Sequence, residues 1–112
     1  MMNIEQRPRV LDTANPKEGL RQMRGIFWDT DVEQLDLEKN KPFIIARMLE
    51  KGGMRGMIWV EAVYPTEDIV NVLRHRRDLS PIVRNYYLGR YHVPQEAAQS
   101  ILMDDEHKRF LP

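Results

Sequence analysis

Residues 41–65 read KPFIIARMLEKGGMRGMIWVEAVYP, and this stretch decides the fold class. Pro42 stands where a helix can begin, and Gly52 and Gly53 end the helical pattern that follows. The apolar residues between them recur on one wide helical face: Phe43, Ile44, Ile45, Met48 and Leu49. Residues 57–64 are almost wholly apolar, so periodicity does not separate a helix from a strand there. We favour a helix, because no second strand-like run exists to pair with it.

Two further helices are predicted downstream of this stretch. Thr66 is the expected N-cap of one, which ends in the basic residues 74–77, where cations suit the negative end of the helix dipole. Ser80 is the expected N-cap of the next, with Pro81 at its first position. A last helix is predicted to open at Pro94, and residues 104–112 should form a frayed C-terminal tail.

The chain upstream of residue 26 has a different character. Residues 1–25 hold prolines, glycines and few apolar side chains, so we expect a flexible N-terminal arm. Structure should begin at Ile26, and Asp31 with Gln34 resembles a capping box that starts a short helix through Leu35 and Leu37.

Together these elements predict an all-α protein, a compact bundle of five or six short helices spanning residues 26–103. Three of them, at 57–64, at 66–76 and from Ser80, have the lengths of a helix-turn-helix-like trio. The apolar positions that recur on inward faces should form the core: Phe43, Ile44, Met48, Trp59, Ile69 and Leu73.

Composition narrows the class of protein. The 112 residues carry 17 basic and 17 acidic side chains, 42% are hydrophobic, and there is no cysteine. One globular domain is expected, without disulfides or thiolate zinc sites. No apolar run approaches the roughly 18 residues of a membrane span, and no signal-peptide stretch opens the chain. These features predict a cytoplasmic protein that makes no membrane contact.

The sequence contains no convincing catalytic or metal-binding constellation. Asp29 and Asp31 are spaced to share a cation, but Asp31 suits a helix cap better and no third ligand is evident. The two serines, Ser80 and Ser100, lie in helix-like contexts rather than in a nucleophile turn. The glycines at 52–56 lack the lysine and Ser/Thr ending of a phosphate loop. We therefore predict a protein that is not an enzyme and binds no metal or cofactor.

Binding surfaces remain as the source of function. Residues 69–94 have a net charge of +4, which suggests a nucleic-acid-binding surface made of Arg74, Arg76, Arg77, Arg84 and Arg90. Glu67 and Asp68 oppose this interpretation, because they would face phosphates at the start of their helix. We favour instead a protein-binding surface composed of Leu11, Leu20, Met23, Arg24 and Trp28.

The order of aromatic and aliphatic motifs adds a family resemblance. It runs through Phe27, Trp28 and Asp29, then Leu35 and Asp36, the stretch 41–50, Gly52, Trp59, Tyr64, residues 69–73, Arg77, Leu79 and Ser80, and Val93 with Pro94. Over about residues 26–95 the chain resembles a family of small helical bacterial proteins often encoded beside abortive-infection-type nucleotidyltransferase toxins. The resemblance implies an antitoxin-like partner protein.

The sequence thus predicts a non-catalytic, antitoxin-like protein whose partner is a cognate nucleotidyltransferase-type toxin. A DNA-binding transcriptional regulator of helix-turn-helix type is the alternative, and homo-oligomerisation through either end of the chain stays open.

Overall fold

The computed structural model describes residues 11–94, and this part of the chain is all-α, as predicted. Five α-helices follow one another, with no strand among the described residues: α1 (Pro16–Gln22), α2 (Lys41–Lys51), α3 (Gly53–Val63), α4 (Thr66–His75) and α5 (Pro81–Arg90). Two 3₁₀ turns, Arg24–Ile26 and Val32–Gln34, connect α1 to α2. No described helix is long and apolar enough to cross a membrane.

Helices α2 and α3 form the centre of the bundle. The helix favoured for residues 57–64 is confirmed, but it begins earlier, at Gly53, whose φ of +62° turns the chain sharply between the two helices. Gly56 explains how closely they pack, because a Cβ there would lie 2.6 Å from the Met48 carbonyl oxygen. A glycine that looks like a helix breaker in the sequence is a contact point between helices here.

Helix α4 packs against α2 and α3, and α5 packs against α4. The predicted Ser80 cap is confirmed, since its hydroxyl oxygen accepts a hydrogen bond from the Val83 amide. The predicted Thr66 cap is wrong: Pro65 occupies the N-cap position, Thr66 is the first helical residue, and no side chain caps this end. The extended backbone that a proline prefers already sets the entry into α4.

The prediction of a flexible arm is wrong for residues 11–25. Leu11 and Leu20 are fully buried, and α1 packs against α3. The Lys17 ammonium donates to the Leu35 carbonyl oxygen at 2.7 Å, and Arg21 pairs with Glu33, so polar contacts also hold α1 in place. Leu20, Met23 and Arg24 have the spacing of only one short helical turn, a weak signal that does not indicate packing against the core. The predicted domain start at residue 26 is therefore too late.

In the segment between α1 and α2, the predicted helix cap is present but the predicted helix is shorter than expected. The Asp31 carboxylate accepts from the Glu33 amide, so the N-cap is confirmed. The expected short helix is only one 3₁₀ turn, because the backbone becomes extended at Leu35, whose side chain is buried. The burial of Leu35, rather than the local helical pattern, therefore determines the path of the chain here.

The core forms largely where predicted. Five of the six expected residues are fully buried, Ile44, Met48, Trp59, Ile69 and Leu73, whereas Phe43 is only partly buried and packs at the edge. The helix predicted from Pro94 and the tail at 104–112 lie outside the described residues, as do residues 1–10.

Candidate protein-binding surface

Trp28 is the most conspicuous side chain on the surface, with 68% of its area exposed. It follows the turn Arg24–Ile26 and precedes Asp29, so it lies on a short connection rather than within a helix. The guanidinium carbon of Arg47, on α2, lies 4.4 Å from its ring centroid. A cation at this distance from an indole face is attracted to the ring. Arg47 therefore packs against the Trp28 ring, although most of the Trp28 side chain is exposed to solvent.

Arg47 also fixes the connection that carries Trp28. Its guanidinium donates to both carboxylate oxygens of Asp29 at 2.9 Å and to the Ile26 carbonyl oxygen at 2.8 Å. The same group lies 4.8 Å from the Phe43 ring centroid, so it contacts the rings of both Trp28 and Phe43. The paired guanidinium lowers the pKa of Asp29 below its ordinary value. This forked geometry requires arginine and orders the residues on both sides of Trp28.

A cleft of about 210 Å³ opens beside Arg47, between α2 and the loop that joins α4 to α5. One of its carboxylates, Glu50, accepts from the Ser80 amide at 3.0 Å, and another, Asp78, pairs with Arg76. The lining residues are Phe43, Ala46, Arg47, Glu50, Lys51, Asp78 and Leu79. Pockets for cofactor-sized molecules measure roughly 300 to 1,000 Å³, so this cleft suits one side chain of a partner better than a cofactor.

The residues predicted to bind a protein partner do not form one surface. Leu11 and Leu20 belong to the core, so their assignment as contact residues is wrong. Met23 is partly buried against that core, and Arg24 is exposed, with its Nε donating to the Arg21 carbonyl oxygen. Trp28 alone among the predicted residues combines a large apolar side chain with high exposure.

The predicted basic surface is also smaller than its five arginines suggest. Arg84 is only 3% exposed, and its guanidinium donates to the carbonyl oxygens of Leu73 and Arg76 inside the bundle, so its assignment to nucleic acid is wrong. Arg76 pairs with Asp78 and Arg90 with Glu61. Arg74 and Arg77 remain exposed at the end of α4.

Sequence reasoning missed Arg47, the residue that organises the Trp28 surface. A signal was present, because Phe43 and Arg47 are four residues apart on α2 and therefore share a face. No feature of the sequence indicated that Arg47 pairs with Asp29, which lies 18 positions away. Within residues 11–94 no group of three or more histidine, aspartate or glutamate side chains is placed to hold a metal ion.

Part of the chain matches a known protein family. A family of unknown function (DUF6922) matches residues 23–73, which is 51 of the 112 residues and less than half of the chain. Over that segment the chain is similar to the family, and the segment contains Trp28 and Arg47 but not α5. No curated protein and no solved structure matches the chain significantly. The family's description assigns no activity, so the toxin-antitoxin context stays a prediction.

Proposed function

We propose that this chain is a non-catalytic protein-binding partner of antitoxin type, which masks a nucleotidyltransferase-type toxin. The observation that carries the proposal is the exposed Trp28 held in place by Arg47. Tryptophan and arginine are enriched among the few residues that supply most of the binding energy in protein interfaces. The toxin class comes from the family resemblance in the sequence. A cytoplasmic location is part of the proposal, and the absence of cysteine fits a reducing compartment.

Preorganisation supports a docking role for this surface. A tryptophan that must be ordered on binding loses side-chain entropy, whereas Trp28 already stacks on a guanidinium with three hydrogen bonds. The neighbouring cleft offers space for one partner side chain beside it. An aromatic anchor next to a side-chain-sized cleft is a typical arrangement for a protein interface.

The test is co-expression of the tagged chain with the product of the neighbouring gene, followed by affinity measurement and a toxicity assay. Trp28→Ala should weaken binding at least thirtyfold, the loss that corresponds to about 2 kcal/mol at an interface anchor, and should release the toxin. Ile82→Ser is the matched control, because it removes another exposed apolar side chain, on α5. Equal binding and neutralisation by Trp28→Ala and wild type would refute this surface.

The alternative, a DNA-binding regulator, rests on Arg74 and Arg77, which are exposed near the start of α5. Titration with random duplex DNA at low and moderate salt distinguishes it, since phosphate contacts make affinity fall steeply with ionic strength. Salt-sensitive binding that is lost on replacing Arg74 and Arg77 by Gln would favour the regulator over the antitoxin.

A further inference from the structure

Helix α3 carries apolar side chains on both its inner and its outer face. Met57, Trp59 and Val60 point into the core, yet Met54 is 71% exposed and Ile58 is 37% exposed. These two outward residues are four positions apart and therefore adjacent on the helix surface, with the exposed Ala62 continuing the row. A helix on the surface of a globular protein normally carries polar residues on its outer face. On the outer face of α3 the polar residues Arg55 and Glu61 only flank a central apolar row.

Charge at the junction of α2 and α3 is also unbalanced. Lys51 and Arg55 are exposed on either side of Met54 in the chain, and neither makes a hydrogen bond or an ion pair within residues 11–94. Other surface cations of the bundle, such as Arg21 and Arg90, pair with the carboxylates of Glu33 and Glu61. Within residues 11–94 no carboxylate pairs with this corner, which leaves two cations available to an acidic partner.

The corner is rigid as well as unpartnered. A Cβ at Gly56 on α3 would lie 2.6 Å from the Met48 carbonyl oxygen on α2, and one at Gly52 would lie 2.9 Å from the Gly56 Cα. Two helices in such close contact cannot shift independently, so the backbone that carries the exposed residues is held in place. Binding at a surface of this kind loses little backbone entropy.

We propose that this corner, formed by Lys51, Met54, Arg55 and Ile58, binds an acidic amphipathic helix of a protein partner. Apolar residues four positions apart on that helix would cover Met54 and Ile58, and flanking Asp or Glu side chains would pair with Lys51 and Arg55. The row from position 54 to 62 is about 12 Å long, which a helix of two to three turns covers. The apolar row favours a protein over a polyphosphate, which has no apolar surface to bury against it.

The experiment selects random 15-residue peptides displayed on phage against the immobilised full-length chain. Enriched peptides should share apolar residues at helical spacing flanked by Asp or Glu. Their affinity should fall at least tenfold on the variant Lys51→Glu/Arg55→Glu. Peptides in which Lys replaces the acidic residues should then bind that variant at least tenfold more tightly than they bind the wild type.

Three single variants serve as comparisons. Met54→Ser should weaken the peptides, while Ile82→Ser and Trp28→Ala should leave their affinity unchanged. Lys51 also lines the cleft beside Arg47. Met54 belongs only to the corner and Trp28 only to the other surface, so Met54→Ser and Trp28→Ala distinguish failure of this proposal from failure of the proposed function. Circular-dichroism melting checks that each variant, all of them at exposed positions, folds like the wild type.

Defined results would overturn the proposal. These are the absence of enriched peptides, enrichment of peptides without acidic residues, or equal binding to wild type and Lys51→Glu/Arg55→Glu. Random duplex DNA, or vesicles of 70% phosphatidylcholine and 30% phosphatidylserine, serve as competing probes. If either binds the wild type but not Lys51→Glu/Arg55→Glu, and no peptide is enriched, the corner would be assigned to a polyanion.

Discussion

Gly19 and Trp59 meet in the core at a distance that leaves no room for a side chain on α1. A Cβ on Gly19 would lie 2.1 Å from Nε1 of Trp59 and 2.7 Å from the Asp12 carbonyl oxygen. Trp59 is fully buried and its ring meets Tyr64 edge-on, with the centroids 5.9 Å apart. The indole is therefore held from several sides and cannot move away from a new methyl group.

We predict that Gly19→Ala lowers the free energy of unfolding by about 1 to 3 kcal/mol, as overpacking of a core does, despite the higher helix propensity of alanine. Urea denaturation measures the change. Gly25→Ala is the control, since nothing lies within 4 Å of its Cβ position, and it should leave stability within about 0.5 kcal/mol of wild type. Equal stability of the two variants would mean that α1 does not pack on Trp59.

His92 has a φ of +58°, a conformation that favours glycine. It lies just beyond α5, where the Val93 amide donates to the Leu88 carbonyl oxygen and the His92 amide to that of Gly89. These two bonds form the Schellman arrangement that commonly ends a helix, usually with glycine in the left-handed position.

We predict that His92→Gly stabilises the fold by up to about 1 kcal/mol, because it relieves the steric cost of a Cβ in the left-handed region. Thermal melting followed by circular dichroism should show a higher midpoint. His75→Gly provides the opposite case, since His75 is the last residue of α4, and its midpoint should fall. A lower midpoint for His92→Gly would contradict the strain argument.

At the scale of elements, Arg84 joins α5 to the end of α4. Its guanidinium donates to the carbonyl oxygens of Leu73 and Arg76, which lie in the last turn of α4 and just after it. Helices end with carbonyl groups that lack partners within the helix, and a buried end must find them elsewhere. The arginine predicted to bind nucleic acid therefore caps a neighbouring helix.

We predict that Arg84→Met lowers the free energy of unfolding by about 2 to 3 kcal/mol, because two buried carbonyl groups lose a charged donor. Arg84→Lys should also destabilise the fold, since an ammonium group does not reproduce the forked geometry. Arg74→Met removes an exposed cation from the same region and should change stability by no more than about 0.5 kcal/mol. Similar results for Arg84→Met and Arg74→Met would argue against the capping role.

At the scale of the whole molecule, ion pairs connect segments that are distant in sequence. Arg47 holds Asp29, Arg21 holds Glu33, and Arg90 with the Tyr91 hydroxyl holds Glu61. Each cation lowers the pKa of its carboxyl group in the folded state, so the folded protein releases these protons more readily than the unfolded chain does.

Lowered carboxyl pKa values imply acid sensitivity. These ion pairs contribute fully to stability when the pH is above the ordinary pKa values, 3.8 for aspartate and 4.5 for glutamate. The contribution is lost as the pH falls through the lower pKa values that these carboxyl groups have in the folded protein. We predict that the urea midpoint is flat from neutral pH to about pH 5 and falls below it. Asp29→Asn should show a shallower fall. A wild-type midpoint that stays constant down to about pH 3 would rule out this linkage.

Local sequence determined the identity and approximate limits of α2, α4 and α5. Apolar residues at helical spacing, Pro42 and Pro81 near helix starts and the Ser80 cap are all local signals, which act within a few residues of the backbone they order. The inward positions of Ile44, Met48, Ile69 and Leu73 followed from the same periodicity. The helical state of residues 57–64 was inferred from the lack of a partner strand.

Tertiary structure decided the features that depend on distant neighbours. Leu11 and Leu20 became core because α1 packs on Trp59, and no periodicity in residues 1–25 shows such a contact. Arg84 became a buried cap because α4 ends beside it, although its charge suggested the surface. The Trp28 surface depends on Arg47 reaching Asp29. Burial and pairing are properties of the assembled chain, whereas helical spacing is a property of neighbours along the chain.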